Sequence, residues 1–193
     1  LLSVPYVHLV FTIPHVLAPL LLHNKRILYS LMFRTASETL MEIAADPKHL
    51  GAEIGFFAIL HTWGQNLMHH PHLHCVIPFG GLSADHTEWI QPRYRFFLPR
   101  GVLADVFRGK FTDALKQAFR DGKLSLTGEL QHLAENKAFR AFLREAYHHR
   151  WVIDVKPTFQ RPEHVLKYLA HYTHRVAISN HRLVSFDNGT VTF

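Results

Sequence analysis

Apolar and polar positions along the chain alternate in two distinct rhythms, and each rhythm predicts a different element. Tyr6 to Ile13 alternates loosely among Val, Leu and Phe and stops at Pro14, which predicts a strand. From Pro19 to about Ala45 the apolar residues Leu20, Ile27, Leu28, Leu31, Leu40 and Ile43 recur at helical spacing, with Asp46-Pro47 as a stop, which predicts a long helix. Ile54 to Thr62 and His72 to Phe79 are apolar, bulky runs separated by a short polar stretch, and the second ends at Gly80-Gly81; together they predict two antiparallel strands.

Residues 102 to 149 carry helical periodicity twice, over Val102 to Phe119 and Gly128 to Tyr147, and are read as a helical insertion. Trp151 to Val155 predicts a strand ended by Lys156-Pro157. Arg161-Pro162-Glu163 then opens a helix, with proline in its first turn and a glutamate that suits the helix dipole. The chain closes on Val184 to Phe186, the turn Asp187-Asn188-Gly189, and Thr190 to Phe193, a hairpin cut short. The order β-α-β-β-(α insertion)-β-α-β predicts an α+β domain, a central antiparallel sheet with packed helices. With no internal repeat and no low-complexity linker, residues 1 to 193 read as a single domain, and the missing initial methionine and the curtailed hairpin as a fragment of something longer.

Composition narrows the function classes. At 193 residues, 48% hydrophobic and 19% charged, the chain can bury one core and is neither disordered nor fibrous. One cysteine, Cys75, excludes an internal disulfide and a multi-cysteine zinc site, so a reducing, cytoplasmic setting is expected. The apolar runs Val16 to Leu22 and Ile54 to Leu60 fall short of the roughly 20 residues a membrane helix needs, and no membrane partner is expected. A net charge of +6 points to a polyanion such as nucleic acid. The 17 histidines outnumber the 15 acidic residues and turn attention to metal ligation and proton transfer.

In His70-Pro71-His72-Leu73-His74, two imidazoles stand at i and i+2 of a strand, on one face and close enough to share an ion, while Leu73 and Cys75 turn to the core. Taken alone, such a pair marks a surface strand at least as readily as a metal site. His61, on the preceding strand, is a candidate third imidazole if a hairpin folds it back; Gln65 competes for that place, and His61 is equally readable as a core histidine bonded to a carbonyl. Cys75, Trp63 and His69 are assigned to packing or solvent. Tyr168 and Tyr172 stand at i and i+4, on one stripe of the predicted helix, and a phenol is a competent nucleophile once deprotonated; buried rings in an apolar stripe with Val165 and Leu169 are the alternative. Between Arg161 and Arg182 the only acid is Glu163, so phosphate could dock there, or the face could simply be solvated. Trp63, Tyr94, Phe96 and Phe97 are either base-stacking surfaces or core.

The opening VPYVHLVFTIP, the stretch HTWGQNLMHHPHLHCVIPFGGL and the segment YLAHYTHRVAISNHRL, in this order, resemble insertion-sequence transposases of the two-tyrosine HUH type, which move by a rolling-circle-like route. The resemblance covers nearly the whole chain. It implies a palm-like α+β core in which His72 and His74 ligate a divalent ion, Mg²⁺ or Mn²⁺ with zinc as a further candidate, and Tyr168 and Tyr172 are the nucleophiles. His61 matches the third histidine of related plasmid relaxases. Lys167, His174, Arg175 and Arg182 are then expected to contact DNA. The implied activity is nicking and joining of single-stranded DNA at transposon ends through a 5′-phosphotyrosine. A non-catalytic DNA-binding remnant, a relaxase or replication initiator with the same chemistry, and a zinc hydrolase are the other readings, though no HExxH motif supports the last. The family's amino-terminal cysteine-rich region and its sequence beyond the final hairpin are not among these 193 residues.

Overall fold

The computed structural model describes residues 2–63, 69–94, 96–159, 164–165, 185–187 and 190–192. Strand β1 (Tyr6–Thr12) leads through a 3₁₀ turn (His15–Leu17) into helix α1 (Ala18–His23) and the long helix α2 (Lys25–Ala45). Strands β2 (Phe57–Trp63) and β3 (His69–Pro78) follow, then the two-residue strands β4 (Gly81–Leu82) and β5 (Trp89–Ile90). Helix α3 (Arg100–Arg120), a 3₁₀ segment (Gly128–Ala134) and helix α4 (Asn136–His148) precede β6 (Val152–Phe159), and β7 (Ser185–Asp187) pairs with β8 (Thr190–Thr192). No helix among the described residues is long and apolar enough to cross a membrane.

The expected α+β class holds. The main sheet has the order β2-β3-β1-β6 with every neighbour antiparallel. Side chains alternate across a strand, so pairing fixes which residues share a face. One face carries Val7, Leu9, Phe11, Leu73, Cys75, Ile77 and Ile153, all buried in the main core with α2 and α3. Phe11 meets Phe107 of α3 edge-on at 5.0 Å, and Trp151 stands against Phe107 and Phe111. The Trp151 indole N–H donates to the Ala146 carbonyl at 3.0 Å, which ties the end of α4 to the start of β6.

Several boundaries differ from those expected, and most have a visible physical reason. The long helix is interrupted at Asn24, whose backbone leaves helical geometry (φ −128°, ψ 36°). Its buried amide donates to the carbonyls of Leu20 and Ser125 and accepts from the Ser125 N–H at 2.7 Å, so a tertiary contact specifies the break. Ile54 is buried outside β2, because Glu53 bridges to Leu82 instead; a Cβ at Gly81 would lie 2.4 Å from the Glu53 carbonyl oxygen, so that bridge requires glycine. Strand β3 starts at His69, crossing Pro71 at a register shift against β2 between the pairs His61–His72 and Trp63–His69. Strand β6 runs through Pro157, where its register against β1 shifts and where, among the described residues, it is the last strand of the sheet. The second helical segment of the insertion is 3₁₀ before it becomes α-helical at Asn136.

Candidate metal centre

The sheet face turned away from α2 and α3 is where the histidines gather. His72 lies opposite Thr12 on one side and His61 on the other, and His74 lies opposite Val10 and Ile59. The same face carries His8 and Tyr6 of β1, Val76 of β3, and Asp154 and Lys156 of β6. One ring nitrogen from each of His61, His72 and His74 lies within 4.8 Å of the others. Ring centroids are 4.8 Å apart for His72–His74, 5.1 Å for His61–His74 and 5.3 Å for His61–His72. His61 and His74 are buried and His72 is half-buried, so the cluster reaches solvent from the His72 side.

A tetrahedral ion holds imidazole nitrogens about 3.4 Å apart, so closing on one asks for roughly 1 Å of ring movement, within reach of side-chain torsions. The hydrogen bonds favour the ligating tautomer. His72 Nδ1–H donates to the His70 carbonyl at 2.6 Å, which puts the lone pair on Nε2, toward the cluster. His74 Nδ1 lies 2.8 Å from His8 Nε2, with the two rings stacked at 5.0 Å. His8 is 3% exposed, and burial first, then the Lys156 charge, pushes its pKa down to about 4, against a smaller opposing pull from Asp154. It is therefore neutral near pH 7; in the tautomer in which His8 Nε2 accepts from His74 Nδ1–H, the His74 lone pair lies on Nε2 and is open to an ion. Three imidazoles fit a borderline divalent cation.

His8 was not singled out by the sequence pattern, where its only signal is a lone polar residue within the apolar run Tyr6 to Ile13. Asp154 and Lys156 were missed too; they form an ion pair on the same face, and the Lys156 ammonium, hydrogen-bonded to the Asp154 carboxyl, holds it below its usual range. His69 faces the other way, where it shares a 3.0 Å hydrogen bond with the Tyr29 hydroxyl of α2. Cys75 and Leu73 are fully buried in the core, as expected. Of the stacking candidates, Phe97 is core at 4% exposure, Trp63 is partly exposed, and Tyr94 and Phe96 are exposed and stack on each other at 5.2 Å. Gln65, Lys167, Tyr168, Tyr172, His174, Arg175 and Arg182 lie outside the described residues. The chain leading to the tyrosines is described at His164 and Val165, which are helical; Val165 is fully buried against Tyr6 and Val76, two residues of the imidazole face.

An antiparallel sheet with helices on one face and an H-x-H pair joined by a third histidine on the other is consistent with an α+β domain of the HUH kind. Comparison with known proteins agrees: the family model described as "Putative transposase" (Y2_Tnp) matches residues 55–193, and the chain belongs to that family. It is 54% identical over 193 residues to "Putative transposase y4qJ" of Sinorhizobium fredii (strain NBRC 101917 / NGR234), covering 100% of this chain and 48% of that protein. It is 28% identical over 193 residues to the "Transposase for insertion sequence element IS801" of Pseudomonas savastanoi pv. phaseolicola, covering 96% of this chain and 43% of that one. The chain thus spans about half the length of the curated relatives it matches. No solved structure matches it.

Proposed function

We propose that residues 1–193 form a single endonuclease domain of a transposase, with a helical insertion at about 102–149, that nicks and rejoins single-stranded DNA at transposon ends. The observation that carries this reading is the convergence of His61, His72 and His74 on one sheet face. A second supports it: Val165, three residues before Tyr168, is buried on that same face.

His61, His72 and His74 would hold a divalent ion, Mg²⁺ or Mn²⁺ with zinc as the competitor, which would supply Lewis-acid stabilisation of charge on the phosphate oxygens. Tyr168 or Tyr172 provides the nucleophile. Its oxygen forms a bond to phosphorus as the bond to the 3′-oxygen breaks; the phenol loses its proton and the departing 3′-oxygen gains one. The product is a 5′-phosphotyrosine and a free 3′-hydroxyl, and attack by another 3′-hydroxyl reverses the step and joins a new strand. A second phenol four residues away permits a second cleavage while the first strand is still held. Lys167, Arg175 and Arg182 neutralise the flanking phosphates, and His174 contacts the DNA beside them.

The test is a denaturing gel of end-labelled oligonucleotide incubated with protein and Mn²⁺. A covalent protein–DNA band is expected, absent in the double variant Tyr168→Phe, Tyr172→Phe and in His72→Ala. A band that persists in the tyrosine double variant discards the nucleophiles, and one that persists in His72→Ala discards the metal site. Salt-sensitive binding without any covalent product identifies a non-catalytic remnant instead.

A further inference from the structure

Away from the imidazoles, a cleft of about 600 Å³ lies between α3 and α4. Helix α3 packs its opposite side, through Phe107 and Phe111, onto Phe11 and Trp151, so the cleft lies on the helical side of the molecule, with the sheet between it and the histidines. Its walls carry Lys116 and Arg120 from α3 and Arg140 and Arg144 from α4, against one carboxylate, Asp113. Asp113 is already engaged by Lys116 at 3.0 Å. The neighbouring acids are engaged as well: Asp105 pairs with Arg108, Asp121 with Lys123, and Glu145 lies 3.8 Å from His149. Among the described residues, no carboxylate is within ion-pair distance of Arg120, Arg140 or Arg144.

Uncompensated like charges on facing helices repel one another, and a solvated surface disperses them; here they line a concavity instead. Arg140 and Arg144 stand one turn apart on α4, and Lys116 and Arg120 one turn apart on α3, so the two helices present parallel rows of cations. The floor is apolar, built from the Phe119 and Phe139 rings stacked at 3.9 Å. Tyr147 stands at the margin, 39% exposed, with the Arg108 guanidinium 4.4 Å over its ring. Guanidinium rows beside an exposed aromatic are the chemistry that recognises a phosphodiester backbone.

We propose that this α3–α4 cleft is a second nucleic-acid site, one that grips the phosphodiester backbone of DNA outside the segment presented to the imidazole face. Its facing rows of cations suit the phosphate backbone, which every sequence presents alike. DNA held at both places passes around the edge of the sheet, so the cleft anchors flanking DNA while the strand to be cut lies on the other face. The site stands apart from the histidines and tyrosines and can be tested without cleavage.

The experiment is fluorescence anisotropy of labelled single-stranded and duplex oligonucleotides without divalent metal, over a salt series, comparing the chain with the triple variant Arg120→Gln, Arg140→Gln, Arg144→Gln. Removing one cation from a phosphate lowers the slope of log K against log salt by about 0.9 on duplex or about 0.7 on single strand. The expected fall for three is therefore roughly 2.7 or 2.1, and the probe showing the fall identifies whether duplex or single-stranded DNA lies there. Unchanged slopes on both probes, in a variant whose circular dichroism and melting match the parent, overturn the proposal. A measurement on the unmutated chain guards against a folding artefact: oligonucleotide should shield Lys116 from acetylation at least several-fold, and equal labelling with and without DNA overturns it. Mn²⁺ binding by the triple variant should equal the parent's, so loss of the cleft and failure of the histidine site remain distinguishable.

Discussion

Replacing His8 tests whether the site's geometry depends on a neighbour outside the His61–His72–His74 triad. In His8→Leu, the His74 Nδ1–H loses the acceptor now 2.8 Å away, in a spot where His8 itself is 3% exposed. Two costs follow. A buried donor deprived of this acceptor destabilises the fold by about 1–3 kcal/mol. Loss of the bond that selects the Nε2-ligating tautomer of His74 weakens metal binding by about 10- to 100-fold, or about 1.4–2.7 kcal/mol. The assay is Mn²⁺ titration followed by the electron paramagnetic resonance signal of free Mn²⁺, run beside urea unfolding to separate the two costs. His8→Gln, which can present a carbonyl oxygen in the same place, should recover part of the affinity. If His8→Leu, folded as judged by circular dichroism, binds Mn²⁺ within twofold of the parent, His8 does not orient His74; if the glutamine and leucine variants lose equally, packing rather than the acceptor is responsible.

Mn²⁺ at 100 times its dissociation constant should stabilise the chain against urea by about 2.7 kcal/mol, an increment removed by EDTA and absent in His72→Ala; equal stabilisation of that variant places the ion elsewhere. Asn24→Ala strips the α1–α2 junction of three hydrogen bonds, two of them to Ser125, and should cost about 2–4 kcal/mol in urea unfolding. A loss under about 0.5 kcal/mol contradicts the role given to Asn24 in breaking the helix. The Cys75 thiol is fully buried and burial pushes its pKa up to about 12, so Ellman's reagent at pH 8 should label it only after denaturation. Stoichiometric labelling of the native chain within minutes contradicts the placement of β3's core face.

Much of the architecture was legible because strong signals coincided. The apolar run ending at Pro14, the two runs flanking the polar stretch after Trp63, and the residues either side of Asn188-Gly189 each combine periodicity with a breaker in the sequence, and strands form beside each of these breakers. The histidine pair was legible for the same reason: alternation assigns His72 and His74 to one face and Leu73 and Cys75 to the other. What was not legible depends on contacts made across the chain. The helix breaks at Asn24 because of Ser125, about a hundred positions away, which no local window contains. β6 accommodates Pro157 at a register shift and, among the described residues, at the end of the sheet, properties of strand pairing rather than of its own residues. His8 looked like an isolated polar residue among apolar ones, and the pairing of β1 with β3 brings it beside His74.

The alternation of β3 has a consequence for how the protein can fail. Sliding β3 by a single position against its neighbours turns His72 and His74 inward and brings Leu73 and Cys75 out to water, so a slip that scatters the imidazoles also disrupts the hydrophobic interior. Correct packing of one face thus carries correct placement of the other, and a chain loaded with Mn²⁺ and then stripped by a chelator should reload on simple readdition, with no renaturation step.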